Sequence, residues 1–419
     1  MSLFQLTPVS EGGERFVGLC RETRPAIAAR AAEADQQGRF VAGSIAGLSR
    51  AGVLAASVPV EFGGLGVRSL HDLAAGMYEL AQGCASTAIA SWMHVGAGHQ
   101  FTGAWLALRA RGQNEAADRL VPFLRGVGAG EVVFAIAGTE PGSYATHYPL
   151  TEARPVDGGY RINGTKIFAT ISPAATHINV PLRVTPADAT AGPDRRGIVT
   201  IPVDREGLSV IDDWDGLGMR GSGSGTVQLR DVFVSDVELV PGDPVGVETR
   251  RGLLFELSGG AGLSTAALGV ARAARDRAIE IARTRVRVPA TTPTAHRPTI
   301  QVAVAEMDRG LLAATGMLRQ NLLDIDRVLT LEAPQRAEIA ELREAVAATR
   351  LTKLTVDRAA AEVVNRAMSI AGGSSFIATS ELARAYRDVR AFPFMAPQEA
   401  EIQQYAGKVA LGLDPTIDL

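Results

Sequence analysis

The sequence predicts an α+β protein built from three consecutive domains: an N-terminal α-helical domain, a middle antiparallel β domain and a C-terminal four-helix bundle. Two changes in hydrophobic period predict this order. Apolar residues recur every three or four positions up to about residue 125, at every second position up to about residue 240, and every three or four positions again from residue 250. We therefore place the domains at residues 1–125, 126–240 and 241–419.

The N-terminal part is predicted to consist of helices joined by a glycine-rich loop. Alanine-rich segments at 25–36 and 41–51 carry apolar residues at helical spacing. The stretch 58–66 contains a proline and three glycines, which would break any helix, so it is a connecting loop. His94 and His99 are five residues apart and share no helix face. No metal site is therefore predicted, and His94 is expected to be structural or to line a substrate pocket.

The middle part shows strand periodicity interrupted by turn residues. Turn-forming residues at 157–159 and 163–164 predict two tight hairpins in a row, and hence an antiparallel sheet. The alanine- and proline-rich segment 186–196 is predicted to be an exposed loop. The predicted strands lie at 132–137, 160–170, 177–184, 197–203 and 226–234. Helical periodicity then returns, and its lengths suit long antiparallel helices at 253–285, 299–329, 333–370 and 380–390.

Composition excludes several classes of protein. The net charge is −3, with 42 basic and 45 acidic residues and no dense basic block, so neither nucleic acid nor an anionic membrane is expected as a partner. Cys20 and Cys84 form no disulfide framework, which favours a reducing cytoplasm. The N-terminus lacks the pattern of an export signal, and we expect no membrane span.

Three motifs are similar to those of a known family. The region 138–172 contains, in order, TEP, GS, DGGYRINGTK and an aromatic two residues before a threonine. The segment 214–224 reads WDGLGMRGSGS, and 387–390 reads RDVR after a glycine pair at 372–373. This set resembles the acyl-CoA dehydrogenase superfamily, and the helix, sheet, helix order extends the resemblance over nearly the whole chain.

The resemblance implies a flavin lying along the middle sheet. Ile136, Gly138 and Thr139 would contact the flavin ring, and Ser143 would meet the pyrophosphate. Phe168, which stands where the family commonly has tryptophan, and Thr170 would flank the ring. The neighbouring subunit would supply Gly372 and Gly373 to the dinucleotide part, which implies a homo-oligomer, either a dimer or a tetramer. The cofactor expected by resemblance is FAD. FMN or reduced flavin stays open, because the region 287–298 lacks the phenylalanine and glycine pair that grips the pyrophosphate in the family.

The sequence departs from the family at the catalytic base. Dehydrogenation needs a carboxylate that removes the α-proton of a thioester while the flavin accepts the β-hydride. Ala396 or Pro397 aligns with the usual glutamate, and Gly259 aligns with the alternative one. Glu399 and Glu401 follow closely, and Glu399 is the candidate base if the loop takes another path.

Three functions remain open at this point. The first is dehydrogenation of an acyl thioester, bound to CoA or to a carrier protein, at its α,β position, with electron-transfer flavoprotein as a candidate acceptor. The second is a two-component flavin monooxygenase of the same fold, which takes reduced flavin from a flavin reductase, uses O2 and needs no glutamate. The third is a non-catalytic partner subunit. The missing base favours the second and third, whereas the prevalence of dehydrogenases in the superfamily favours the first, which we take as the expectation.

Overall fold

The computed structural model describes residues 4–142, 148–186, 192–329 and 338–416. Its elements follow the predicted order of helices, sheet and helices. The predicted boundary at 125/126 falls inside a helix that continues to Ala129. The N-terminal helices are α1 (Glu11–Gln37), α2 (Ala42–Arg50), α3 (Leu70–Gly83), α4 (Ala85–Ala110), α5 (Asn114–Asp118) and α6 (Val121–Ala129).

Helix α3 is the centre of the N-terminal part. It is buried along almost its whole length between α1 and the C-terminal helices. Its residue Gly76 leaves room for the ring of Phe16 of α1, because an added Cβ would lie 2.1 Å from that ring. The carboxylate of Asp326, far away in the chain, accepts hydrogen bonds from the backbone N–H groups of Leu70 and His71. The N-terminus of α3 is therefore capped from the C-terminal domain, which joins the two helical parts.

The middle part is one curved, mostly antiparallel sheet. The strands are β1 (Phe134–Ile136), β2 (Glu152–Val156), β3 (Gly159–Ala169), β4 (His177–Val184), β5 (Arg195–Pro202), β6 (Leu208–Ile211) and β7 (Gly225–Ser235). Strand β4 pairs antiparallel with β5, and β3 pairs antiparallel with β2 and β7, whereas β1 and β2 both run parallel to β4. The strand order is β1-β4-β2-β3-β7-β6, with β5 on β4.

The second predicted hairpin, at Asn163–Gly164, is wrong. Strand β3 continues through this pair and carries a bulge there against β7. The side-chain oxygen of Asn163 accepts the backbone N–H of Asp231, 2.9 Å away. Gly164 lies so close to Thr151 that a Cβ would come within 2.3 Å of its hydroxyl. Asn163 therefore stabilises a bulge in β3, and Gly164 allows close packing against Thr151. The pair does not form a turn.

The C-terminal part consists of long helices around α10. The predicted helix at 253–285 is divided at Gly260 into two. Helix α10 packs against α8, α9, α11 and α12. The helices are α7 (Arg250–Gly259), α8 (Ala261–Thr284), α9 (Pro298–Leu329), α10 (Ile339–Ala371), α11 (Glu381–Val389) and α12 (Glu399–Ala410).

Among the described residues, one helical stretch, Arg250–Thr284, is long and apolar enough to cross a membrane, judged by length and composition alone. However, 59% of its most apolar window is buried inside the protein. The burial of α8 against α3 and α10 accounts for this composition as that of a core helix.

Candidate flavin site

An exposed aromatic ring marks the end of strand β3. Phe168, the penultimate residue of β3, is 55% exposed, whereas the next residue, Ala169, is buried. Its backbone adopts φ +58°, and Ile171 adopts φ +68°, both in the left-handed region that non-glycine residues avoid. The ring of Trp214 meets that of Phe168 edge to face, with centroids 6.0 Å apart. Two strained residues and an open ring at one corner of the sheet are typical of a ligand site.

Thr170 begins a chain of three buried hydroxyl groups. Its Oγ1 lies 2.8 Å from the Oγ of Ser224, which lies 2.7 Å from the Oγ of Ser222. The backbone N–H of Ile171 donates to the carbonyl of Ser222, 3.0 Å away. The glycine-rich segment at 214–225 is thereby fixed against the end of β3.

The residues that follow β1 lie beside the same end of β3. The backbone N–H of Ile167 donates to the carbonyl of Thr139 at 2.9 Å. Ile136 is the last residue of β1 and is partly buried. An added Cβ at Gly138 would meet no protein atom within 4 Å, so this glycine borders open space. Ser143, the predicted pyrophosphate contact, lies outside the described residues.

Glu140, in the same motif, forms a buried ion pair. Its Oε1 accepts a hydrogen bond from the Nζ of Lys166 at 2.8 Å, and Lys166 has no exposed side-chain surface. The backbone N–H groups of Leu150 and Thr151 also donate to this carboxylate. Burial opposes ionisation of Glu140, but these hydrogen bonds outweigh it and lower its pKa. Glu140 of the TEP motif therefore links the residues just before β2 to Lys166 in β3.

The glycine-rich segment is also tied to the RDVR motif. The backbone N–H of Met219 donates to Oδ1 of Asp388, 2.7 Å away. Burial raises the pKa of Asp388 to about 6, although the Met219 hydrogen bond opposes this. Arg220 donates to the backbone carbonyl of Asp35 in α1 at 2.7 Å, and Arg387 pairs with the Asp35 carboxylate. Both motifs are visible in the sequence, but nothing in either indicates that they contact each other.

The glycine pair that ends α10 lies beside an arginine-bearing segment. Gly372 has φ +68°, and an added Cβ would lie 2.6 Å from the guanidinium of Arg287. An added Cβ at Gly373 would meet nothing within 4 Å. Arg285 donates hydrogen bonds to the carbonyl of Ala371 and the hydroxyl of Ser374. This arrangement lies at the end of the bundle, separate in the chain from the residues at the end of β3.

The positions that align with the family's catalytic base, 259 and 396–397, carry no carboxylate. Gly259 borders open space, and its carbonyl accepts the indole N–H of Trp92 at 3.1 Å. Glu399 begins α12, is 49% exposed and pairs with Arg358 of α10. Glu401 accepts the backbone N–H of Gln398 and caps the same helix. Both glutamates have structural partners on the surface of the bundle.

His94 has a structural contact in the core. Its Nδ1 accepts the backbone N–H of Phe134 at 3.0 Å, so the histidine joins α4 to β1. Burial lowers its pKa to about 4, which keeps the ring neutral at pH 7. Among the described residues no group of three or more metal-ligating side chains occurs.

Comparison with known proteins identifies the family. Three family models match consecutive parts of the chain: the acyl-CoA dehydrogenase N-terminal domain at residues 20–122, the middle domain at 135–232 and the C-terminal domain at 261–395. The amino sugar nitrososynthase RubN8 of Streptomyces rubradiris is 33% identical over 97% of this chain and 92% of its own length. The chain belongs to the acyl-CoA dehydrogenase superfamily. The L-evernosamine nitrososynthase of a Micromonospora strain is 30% identical over 97% of the chain and 92% of its own length.

A solved structure gives the same fold together with a flavin. KijD3 in complex with FMN and dTDP-3-amino-2,3,6-trideoxy-4-keto-3-methyl-D-glucose superimposes with a TM-score of 0.88 and 29% identity, covering 98% of this chain and 97% of KijD3. The superfamily member described here is thus an oxidoreductase, and its cofactor is a flavin. Its own residues fit that group. Gly138 and Gly373 leave space that a side chain would fill, and the exposed ring of Phe168 offers an apolar face.

Proposed function

We propose that this protein is a flavin-dependent monooxygenase that oxidises the amino group of a sugar nucleotide, and not an acyl-thioester dehydrogenase. In each round one oxygen atom of O2 enters the N–O bond and the other leaves as water. The two electrons come from reduced flavin, so the first round converts the amine to a hydroxylamine. A second round adds another hydroxyl to the nitrogen, and loss of one further water then gives the nitroso sugar. The nitrososynthase relatives and the amino sugar bound by KijD3 support this substrate class.

The proposal rests mainly on the lack of a carboxylate that could act as the base in thioester dehydrogenation. Ala396 and Pro397 cannot remove a proton, Gly259 offers only space, and Glu399 is paired with Arg358. A neutral amine is itself a nucleophile, so oxygen transfer to nitrogen requires no carboxylate of the kind that thioester dehydrogenation does.

The chain's own residues have defined parts in this proposal. Bound flavin supplies the redox chemistry and the activation of O2. Phe168 and Thr170 would hold the flavin ring at the end of β3, and Gly138 and Thr139 would contact it from the side of β1. Asp388 fixes the glycine-rich segment by accepting the N–H of Met219. The first four residues would bind and orient the flavin, whereas Asp388 holds the neighbouring segment in place.

The base assignment is tested with Glu399→Gln. We expect this variant to retain the wild-type rate of amine oxidation within about twofold, because surface ion pairs rarely contribute more than about 1 kcal/mol. Glu362→Gln, which removes another surface pair with an arginine, is the matched control. Anaerobic bleaching of the wild-type flavin by a CoA thioester that slows by several orders of magnitude in Glu399→Gln, but not in Glu362→Gln, would restore the dehydrogenase hypothesis.

The oligomeric state and compartment are part of the same proposal. Val288 is 94% exposed and Phe376 is 86% exposed, and both lie in segments adjoining the glycine pair. A second copy that covers them would place Gly372 and Gly373 against its own flavin, so we expect a dimer or tetramer in the cytoplasm, supplied by a flavin reductase. Light scattering should give at least twice the mass of the chain. A monomer that still binds flavin would contradict this expectation.

A further inference from the structure

We infer that Lys353 is a positioning residue that holds the RDVR segment and, through it, the corner of the sheet at the end of β3. The inference rests on the flavin position proposed above, and not on the oxidation of an amine. Lys353 lies in α10, and its ammonium group is buried. Its Nζ donates hydrogen bonds to Oδ2 of Asp357 at 2.8 Å and to the backbone carbonyl of Phe392 at 3.0 Å.

The backbone between Asp388 and Met395 forms a run of hydrogen-bonded turns. The N–H of Ala391 donates to the carbonyl of Asp388, and the N–H of Met395 donates to the carbonyl of Phe392, both at 3.1 Å. The carbonyl of Phe392 therefore accepts two hydrogen bonds, one from the turn itself and one from the ammonium group of Lys353. The buried ammonium group thus fixes these turns from inside the helical bundle.

Asp388 connects these turns to the glycine-rich segment. Its carboxylate accepts the N–H of Met219, which is buried and adopts φ +53°, in the left-handed region. The carbonyl of Met219 accepts the N–H of Ser222 at 2.9 Å, and the carbonyl of Ser222 accepts the N–H of Ile171 at 3.0 Å. A strained residue such as Met219 keeps its conformation only where its surroundings enforce it. Hydrogen bonds and backbone therefore link Lys353 to the corner at the end of β3.

The ion pair of Lys353 and Asp357 is poorly suited to stabilise the fold. Oδ1 of Asp357 is buried and has no hydrogen-bond partner among the residues that the structure describes. Burial raises the pKa of Asp357 in spite of the neighbouring ammonium group, so the cost of desolvation exceeds the attraction between the charges. In Glu140, by contrast, both carboxylate oxygens accept hydrogen bonds. We therefore assign to the Lys353 pair a role in position and not in stability.

Replacing both members of the pair by apolar residues should separate these two roles. We expect Lys353→Met with Asp357→Leu to unfold at a urea concentration equal to or above that of the wild type, because neither buried charge remains. The carbonyl of Phe392 loses the ammonium donor, so the turns and the glycine-rich segment become more mobile. We expect oxidised FMN to bind about tenfold more weakly. The amides of residues 214–225 should exchange faster with heavy water.

Three measurements on the full chain test the inference: urea denaturation, fluorescence titration of oxidised FMN, and hydrogen exchange followed by mass spectrometry without flavin. Arg275→Met with Asp308→Leu is the matched control, because it removes a partly buried ion pair between α8 and α9 of the same bundle. This control should leave both the affinity for FMN and the exchange of residues 214–225 unchanged.

A double-mutant cycle with Asp388→Leu checks the route of the effect. If Lys353 acts through Asp388, replacing the ion pair in Asp388→Leu should weaken FMN binding no further. Additive losses, unchanged exchange of residues 214–225, or a replaced pair that unfolds at much lower urea than the wild type would overturn the role of Lys353. Faster exchange with unchanged affinity for FMN would contradict the flavin position at this corner. None of these measurements involves an amine, so failure of amine oxidation would leave their result intact.

Discussion

Replacing Gly138 with phenylalanine should abolish flavin binding without unfolding the protein. An added Cβ at Gly138 meets no protein atom within 4 Å, and this glycine does not adopt a positive φ. The larger side chain therefore occupies the space that we assign to the flavin ring. We expect a loss of affinity of about a hundredfold or more, equivalent to about 2.7 kcal/mol, measured by titration of flavin fluorescence.

Gly18→Phe provides the control for this variant. Gly18 lies in α1, and an added Cβ there also meets nothing within 4 Å. It should leave both flavin affinity and the melting temperature near the wild-type values. Wild-type affinity in a folded Gly138→Phe protein would show that the flavin does not approach this end of the sheet.

Breaking the buried ion pair between Glu140 and Lys166 should strongly lower the free energy of unfolding. In Glu140→Gln the ammonium group of Lys166 stays buried without its carboxylate partner, and such a change costs about 3–5 kcal/mol of the free energy of unfolding. The Nζ of Lys166 also donates to the carbonyl of Pro181 in β4 at 2.6 Å, so the charge is held in place. Urea denaturation at neutral pH measures the change.

The double variant Glu140→Gln with Lys166→Met distinguishes the cost of the unpaired charge from the cost of altered packing. It removes the unpaired ammonium and keeps a flexible apolar side chain in its place, so it should regain most of the lost stability. Glu238→Gln is the control, because it breaks the surface ion pair of Glu238 with Arg205. It should lower the free energy of unfolding by no more than about 1 kcal/mol. A Glu140→Gln cost as small as that of this control would contradict the account of the motif.

Local signals in the sequence predicted most of the fold. The turn at Asp157–Gly158 lies between β2 and β3 as expected, because an aspartate and glycine pair can adopt the backbone angles of a tight hairpin. The same reasoning failed at Asn163–Gly164. There the requirement for glycine comes from Thr151, on a different part of the chain, and a dipeptide does not reveal it.

The site could be predicted only in part. Resemblance proposed Phe168 and Thr170, which the structure places at one exposed corner of the sheet with Gly138. The contact between Met219 and Asp388 joins positions 169 residues apart, and the strained backbone of Phe168 depends on its neighbours in space. The prevalence of dehydrogenases in the superfamily favoured thioester dehydrogenation. The partners of Glu399, which are visible only in the fold, and the nitrososynthase relatives do not support that preference.

The most direct test of the proposed function follows the oxygen atom. The protein is mixed with chemically reduced flavin, ¹⁸O₂ and dTDP-3-amino-2,3,6-trideoxy-4-keto-3-methyl-D-glucose, the sugar nucleotide bound by KijD3. The sugar nucleotide is then analysed by mass spectrometry. We predict an N-oxidised product that carries one heavy oxygen atom on its nitrogen. An unchanged amino sugar, with a bound oxidised flavin that acyl-CoA bleaches under nitrogen, would contradict the proposal.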